Sequence, residues 1–294
     1  MKITNKLNLP QAIVNALTND YQYKDKQFSA TTILSGIKSF LLSKRHQNEI
    51  EMDAADGINM VFGTAVHNIM EGNQTHEELA EDYLKVKLAN GYTISGKYDL
   101  FNIVTHELTD YKTCSVWKIK FKDFEDWKKQ LLIYSWMIEQ MGIKVNKAKI
   151  TAFIKDYSKS DYRLAQLKGE YYPEAQIINI DFEFSKEDLV EIEQWIIKRF
   201  KDIESFEKLT DDEIPTCSEE ERWYSGTKYA VKKGNNIKAL KLFDNKQDAE
   251  EMAANDPTLW VEERKGIDRK CMDYCNTCKF CKYYKENYGG NENV

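Results

Sequence analysis

The chain has 294 residues, 42% hydrophobic and 12% aromatic, with a formal net charge of −6. That is enough apolar material for a large core, which excludes a disordered or collagen-like chain. The lack of any run of about 18 apolar residues argues against a membrane-spanning helix. MKITNKLNLPQ at the start has no apolar core of a signal peptide, so a cytoplasmic placement is expected.

Residues 29–45, SATTILSGIKSFLLSKR, read as a capped amphipathic helix, with Ser29 or Thr31 at its start and Ile33, Ile37 and Leu41 at helical spacing. A second helix is expected over about 57–71 and a polar, acidic one over about 75–89. Then the period changes. In YTISGKYDLFNI (92–103), Tyr92, Ile94, Tyr98 and Leu100 alternate with polar residues, as in a strand, and HELTDYKTC (106–114) reads as its hairpin partner. A helix over 121–141 buries Phe124, Trp127, Leu131 and Ile138 and stops at Gly142. Strands follow at 147–157 and 175–184, and a helix at 185–208 opens on the capping pair Ser185 and Asp188.

This order describes a mixed α/β fold: a small mixed sheet flanked by helices over residues 1–208. Residues 209–294 form an accessory region. It holds a hairpin turning at Gly234-Asn235, a helix near 245–255, a strand at 258–264 and a cysteine cluster. The acidic average hides basic stretches. Residues 226–243 carry five lysines and no acid, and residues 112–129 six lysines against three acids; local stripes of this kind can follow phosphates.

The hairpin carries the first chemical signal. With its turn at Val104-Thr105, Asp99 faces Asp110, and directly opposed residues place their Cβ atoms about 4.5–5.5 Å apart. Two carboxylates that close need a cation, and Lys112 shares the face of Asp110. Two hard oxygen ligands beside an ammonium suit Mg²⁺ or Mn²⁺ and phosphate chemistry. Glu107 reads as a wet-face charge and Cys114 as a small core residue.

Four elements occur in order: Gly63-Thr-Ala-Val-His67, Gly96-Lys-Tyr-Asp99, Asp110-Tyr-Lys112 and Gln130-Leu-Leu-Ile-Tyr134. This set resembles the PD-(D/E)XK nuclease superfamily, and within it the RecB-like exonucleases and their phage relatives, over roughly residues 29–200. The resemblance implies a restriction-endonuclease-like core and a metal-dependent deoxyribonuclease, an exonuclease in recombination, repair or phage DNA processing. His67, Asp99 and Asp110 would hold Mg²⁺ or Mn²⁺, Lys112 would support the nucleophile, and Gln130 and Tyr134 would position substrate. Gly63 would let the face bearing His67 approach the sheet. Ser29 and Thr31 are expected to touch a phosphate, and Lys228, Lys232, Lys233 and Lys238 to track DNA. The expected partners are DNA with free ends and a separate recombination or helicase protein, in the host cytoplasm if the chain is phage-encoded. The alternative is a non-catalytic nucleic-acid-binding or assembly protein on a metal-stapled scaffold.

Cys271, Cys275, Cys278 and Cys281 fall within eleven residues, a spacing suited to Zn²⁺ or an iron–sulfur cluster. Some RecB-like nucleases carry a [4Fe-4S] cluster on three cysteines near the C-terminus and one remote cysteine. By that resemblance Cys271, Cys275 and Cys281 would join Cys217, leaving Cys278 spare. This chain departs from the pattern, since it has no cysteine before Cys114; Zn²⁺ on the four local cysteines stays the alternative.

Overall fold

A computed structural model describes residues 1–18, 23–24 and 26–289; most of the terminal GGNENV run, from position 290, lies outside the described residues. Strand β1 (Lys2–Thr4), helix α1 (Gln11–Leu17) and strand β2 (Gln27–Ser29) lead in. The helix expected over 29–45 is two, α2 (Ala30–Leu34) and α3 (Ile37–Arg45). Ser29 caps α2, its Oγ accepting the Thr32 N–H at 3.0 Å. Ser35 and Gly36, both extended, part the two helices, and a Cβ at Gly36 would come within 2.8 Å of Cys217 Sγ.

β3 (Glu51–Asp53) pairs in parallel with β1, and α4 (Ile58–Glu71) follows where a helix was expected. The acidic helix expected over 75–89 is absent. In its place stand β4 (Glu78–Ala80) and β5 (Tyr83–Lys87). Leu84 and Leu88 are buried and Val86 is partly so, a period of two that packs against a sheet and outweighs the helix propensity of the surrounding Glu, Lys and Ala.

Residues 92–103 likewise form two strands, β6 (Thr93–Lys97) and β7 (Leu100–Asn102), in different sheets. The chain changes sheet at Tyr98-Asp99, and the alternation slips there: Ile94 and Tyr98 are buried, then Phe101 in place of Leu100. β8 (Glu107–Cys114) returns antiparallel to β7 in the expected register, Leu100 against Thr109 and Asn102 against Glu107. Then come α5 (Val116–Lys120), α6 (Glu125–Glu139), β9 (Lys147–Ile154), α7 (Lys159–Lys168), β10 (Ile177–Phe182) and α8 (Lys186–Phe206). α7 was not expected; α8 opens on the Ser185–Asp188 capping box as read.

The central sheet runs β10-β9-β8-β7-β4, parallel between β8 and β9 and antiparallel elsewhere. A second sheet, β2-β6-β5, lies alongside. α6 and α8 bury Leu131, Ile133 and Met137, and Ile192, Ile196 and Phe200, in one core with both sheets. Each such side chain contributes about 1.5–3 kcal/mol on burial. The result is a small mixed sheet flanked by helices.

The last third contains α9 (Glu219–Arg222), β11 (Lys228–Lys233), β12 (Lys241–Phe243), α10 (Lys246–Ala254), β13 (Leu259–Arg264), α11 (Arg269–Asp273) and α12 (Lys282–Tyr288). Its sheet runs β12-β11-β13. Buried Lys38 of α3 ties this segment to the core, its Nζ donating to the carbonyls of Asp211 (3.0 Å) and Ile214 (2.7 Å). Arg199 of α8 donates to the Ile33 carbonyl at 3.0 Å and pairs with Glu221 at 2.7 Å. No helix among the described residues is long and apolar enough to cross a membrane.

His46, just past α3, lies flat on Phe280 with ring centroids 3.8 Å apart, and its two nitrogens meet Asp211 and Glu49 at 2.7 Å each. Those hydrogen bonds, Asp211 first, raise the imidazole above its ordinary 6.5. A raised folded-state value means the stabilisation is full below about 6.5 and is lost as pH climbs through the raised value. His46→Phe keeps the ring and removes the charge. The melting-temperature advantage of wild type over it is therefore expected at pH 5.5–6 and to shrink towards pH 9; a gap that stays constant over that range contradicts the assignment.

Candidate active and metal-binding site

Five separate segments deliver side chains to the point where β6 gives way to β7. Asp99, 8% exposed, sits in the bend, and its Oδ2 accepts the Tyr111 N–H of β8 at 2.6 Å. That bond fixes the carboxylate across the hairpin from Asp110, as the register required. α4 brings His67, whose Nδ1 lies 3.2 Å from both Asp99 Oδ1 and Glu81 Oε1. Chiefly through the hydrogen bond to Asp99, the imidazole is pushed up to about 9.

Asp110 is 2% exposed. Its Oδ1 accepts from Gln130 Nε2 of α6 at 3.2 Å, and its Oδ2 lies 2.7 Å from Lys112 Nζ. Burial pushes the carboxyl up to about 6, against the pull of Lys112. Tyr134 packs its ring on Gly96, where a Cβ would stand 2.5 Å from Cε1. This is the close approach that requires a glycine in the Gly96-Lys-Tyr-Asp99 element.

Glu81 was not foreseen. It lies between β4 and β5 with φ +55°, a left-handed conformation costly for a residue with a side chain. Its N–H donates to the Asp99 carbonyl at 3.1 Å and its carboxylate pairs with Lys97 as well as His67. His67, Glu81 and Asp99 offer ligand atoms all within 4.8 Å of one another. Carboxylate oxygens with one imidazole suit Mg²⁺ or Mn²⁺. The signal that could have found Glu81 is the Leu84-x-Val86-x-Leu88 alternation, which makes the segment before it the approach to a strand. Gly63, by contrast, makes no close approach to the sheet: a Cβ there would meet nothing within 4 Å.

Ser29 and Thr31 are not in this cluster. Their hydroxyls bond to each other at 2.9 Å and line a separate cavity of about 370 Å³ with Thr32, Ser35, Ser39 and Asn276. In the C-terminal sheet Lys228 pairs with Asp244, Lys233 lies 3.3 Å from Asp256, and Lys232 lies 3.5 Å from Glu262 and over Trp260. Lys238 is exposed and makes no ion pair among the described residues. Glu107 pairs with Lys149, and Cys114 is buried.

Cys217, Cys271, Cys275, Cys278 and Cys281 all line one cavity of about 30 Å³, beside Lys38 and Arg222. Burial above all raises the Cys217 thiol to about 11 and that of Cys271 to about 12. Among the described residues no three of these sulfurs lie within 4.8 Å of one another. A tetrahedral zinc site with Zn–S near 2.3 Å would draw them to about 3.8 Å.

The sequence matches no family model and no curated protein. Among solved structures it is similar to one described as SSO0001, at 14% identity and a TM-score of 0.41, over 64% of this chain and 82% of that one. It is also similar to LHK-Exo in complex with dAMP (12%, 0.41, over 67% and 94%). A third is a phage related exonuclease from Haemophilus somnus 129PT (11%, 0.31, over 66% and 80%).

Two outcomes are expected. Asp110→Asn removes a charge that burial disfavours. In metal-free buffer the variant should melt higher than wild type above pH 6, the difference vanishing below about pH 4, where both side chains are neutral; a variant that melts lower at pH 7 contradicts the burial argument. Glu81→Gln should weaken Mn²⁺ binding by at least the ~10–100-fold typical of losing a supporting group, read by calorimetric titration.

Proposed function

We propose that the chain is a divalent-metal-dependent nuclease that hydrolyses phosphodiester bonds in DNA, of the RecB-like type its motifs resemble. One observation carries the reading. His67, Asp99, Asp110, Lys112 and Gln130, scattered over more than sixty residues of sequence, meet at one point, with the Asp110 carboxylate buried between Gln130 and Lys112. Buried titratable groups drawn together in this way, with burial and a specific charge partner acting on one of them, mark a candidate functional centre.

His67, Glu81, Asp99 and Asp110 would hold the cation, which would supply Lewis-acid stabilisation of phosphate charge and a more acidic water. The protein's own groups do the rest. Gln130 fixes the Asp110 carboxylate from one side. Lys112 offers a cation to the charge that builds on the phosphate, in a site dry enough for that charge to count. Tyr134, packed on Gly96, holds α6 against the strand that ends at Asp99. His67 must give up the proton that Asp99 and Glu81 stabilise before it can ligate.

The five cysteines around one cavity support a second, structural metal centre that joins the C-terminal helices to α3. The resemblance to RecB-like nucleases favours an iron–sulfur cluster there, with zinc as the alternative. We read the activity as exonucleolytic, on DNA ends, in recombination, repair or phage DNA processing with a separate motor protein.

The test is digestion of linear and circular DNA with Mg²⁺ or Mn²⁺. Wild type should degrade linear DNA, EDTA should stop it, and Asp99→Asn and Lys112→Met should each cost about 10²–10⁴ in rate with melting temperatures showing a folded chain. No cutting by wild type, or cutting by both variants at its rate, removes the reading in favour of a protein that only binds DNA.

A further inference from the structure

The strand that carries Asp110 and Lys112 runs directly into α5, which is anchored at its start. Ser115 Oγ donates to Asp156 Oδ2 and the Val116 N–H to Asp156 Oδ1, both at 2.7 Å. Val116 and Ile119 face the core, which leaves Trp117 53% exposed and Phe121, one turn on, 71% exposed. Their rings stack with centroids 5.6 Å apart. Lys120 Nζ sits 4.6 Å from the Trp117 ring centre and 5.7 Å from that of Tyr172. Lys122 Nζ sits 5.2 Å from the ring of Tyr171, which is 52% exposed.

The charges are as telling as the rings. Of the three acids that follow, Asp123 and Asp126 are held by Lys118, at 3.4 and 2.8 Å, and Glu125 lies in the first turn of α6. Lys120 and Lys122 pair with no acid among the described residues. A purely apolar patch would suit a protein partner. Flat exposed rings with unneutralised ammonium groups between them suit a strand whose bases can stack and whose phosphates need cations. Duplex DNA offers the phosphates but hides its base faces, so a single strand is the better occupant. Trp117 follows Lys112 by five residues, which bounds their Cα separation at about 18 Å. That is the length of roughly five nucleotides at ~3.4 Å each.

We infer that Trp117, Phe121 and Tyr171 with Lys120 and Lys122 form a platform for a single-stranded segment of nucleic acid, a few nucleotides from the reacting centre. This specifies the substrate of the nuclease proposed above and rests on that reading for its role. Binding in EDTA tests the platform without cleavage. Fluorescence anisotropy of the full chain with a labelled single-stranded oligonucleotide should give affinities that fall about 5- to 150-fold in Trp117→Ala and in Phe121→Ala, as expected when one stacked base is lost. Both positions are exposed, so both variants should fold. Trp117→Phe should retain most of the affinity. The double change Lys120→Gln, Lys122→Gln should flatten the slope of log K against log salt by about 1.4, two phosphate contacts at about 0.7 each.

A blunt duplex should be bound more weakly and lose less in the alanine variants. Equal losses on duplex and single strand, or unchanged single-strand affinity in both alanine variants, overturn the proposal. So does wild-type self-association that Trp117→Ala abolishes while DNA binding is kept, which would make the patch a protein interface. Hydrolysis of bis-p-nitrophenyl phosphate with Mn²⁺, a diester too small to reach the platform, tests the nuclease reading separately. Single-strand binding that responds to the variants supports the platform whether or not that diester is cut.

Discussion

Carboxylate charge held out of water is the constraint around which the centre of this protein is arranged. Asp99 and Asp110 are 8% and 2% exposed and face each other across a hairpin, with Glu81 and His67 grouped on Asp99. Uncompensated charges of this kind cost several kcal/mol each. The compensation comes from His67 of helix α4, Lys97 of β6 before the bend and Lys112 of β8. The balance is incomplete: the Asp110 carboxyl stays well above its ordinary range because burial outweighs its lysine. A centre poised this way favours an arriving cation, and its strain is of the kind stored at working sites.

Holding that arrangement falls to the surrounding frame. The parallel pair β8 and β9 lies in the middle of the main sheet, so Asp110 and Lys112 project from its most rigid part. α6 packs on α8 and presents Gln130 to Asp110, while Tyr134 is itself part of the buried core beside Gly96. The change of sheet at Asp99 lets one short segment belong to both layers. The C-terminal region is bound to the same frame by buried Lys38, by Arg199 and by the close contact of Gly36 with Cys217. The cysteine cavity is therefore built partly from α3 and rests on the main core.

Much of this was legible in the chain because the signals were local. The hairpin register followed from one turn and one alternation, and it placed Asp99 against Asp110 correctly. The capping box at Ser185 and the helix ending before Gly142 were equally local. The failures share a cause. Residues 75–89 look helical by composition, and only the sheet edge they complete decides for strands, which hid Glu81. The close approach that keeps residue 36 a glycine is to Cys217, some 180 residues later. The slip at Asp99 depends on two sheets meeting there.

The sequence by itself determined the elements with strong periods, the order of the His, Asp, Asp-x-Lys and Gln residues, and the cysteine cluster, because spacing along a helix or strand fixes which face a residue shares. Only the tertiary structure decided that Glu81 joins His67 and Asp99, that all five cysteines line one cavity, and that three of the hairpin lysines already face acids. Those outcomes depend on distances between segments far apart in the chain, and such distances are set by packing.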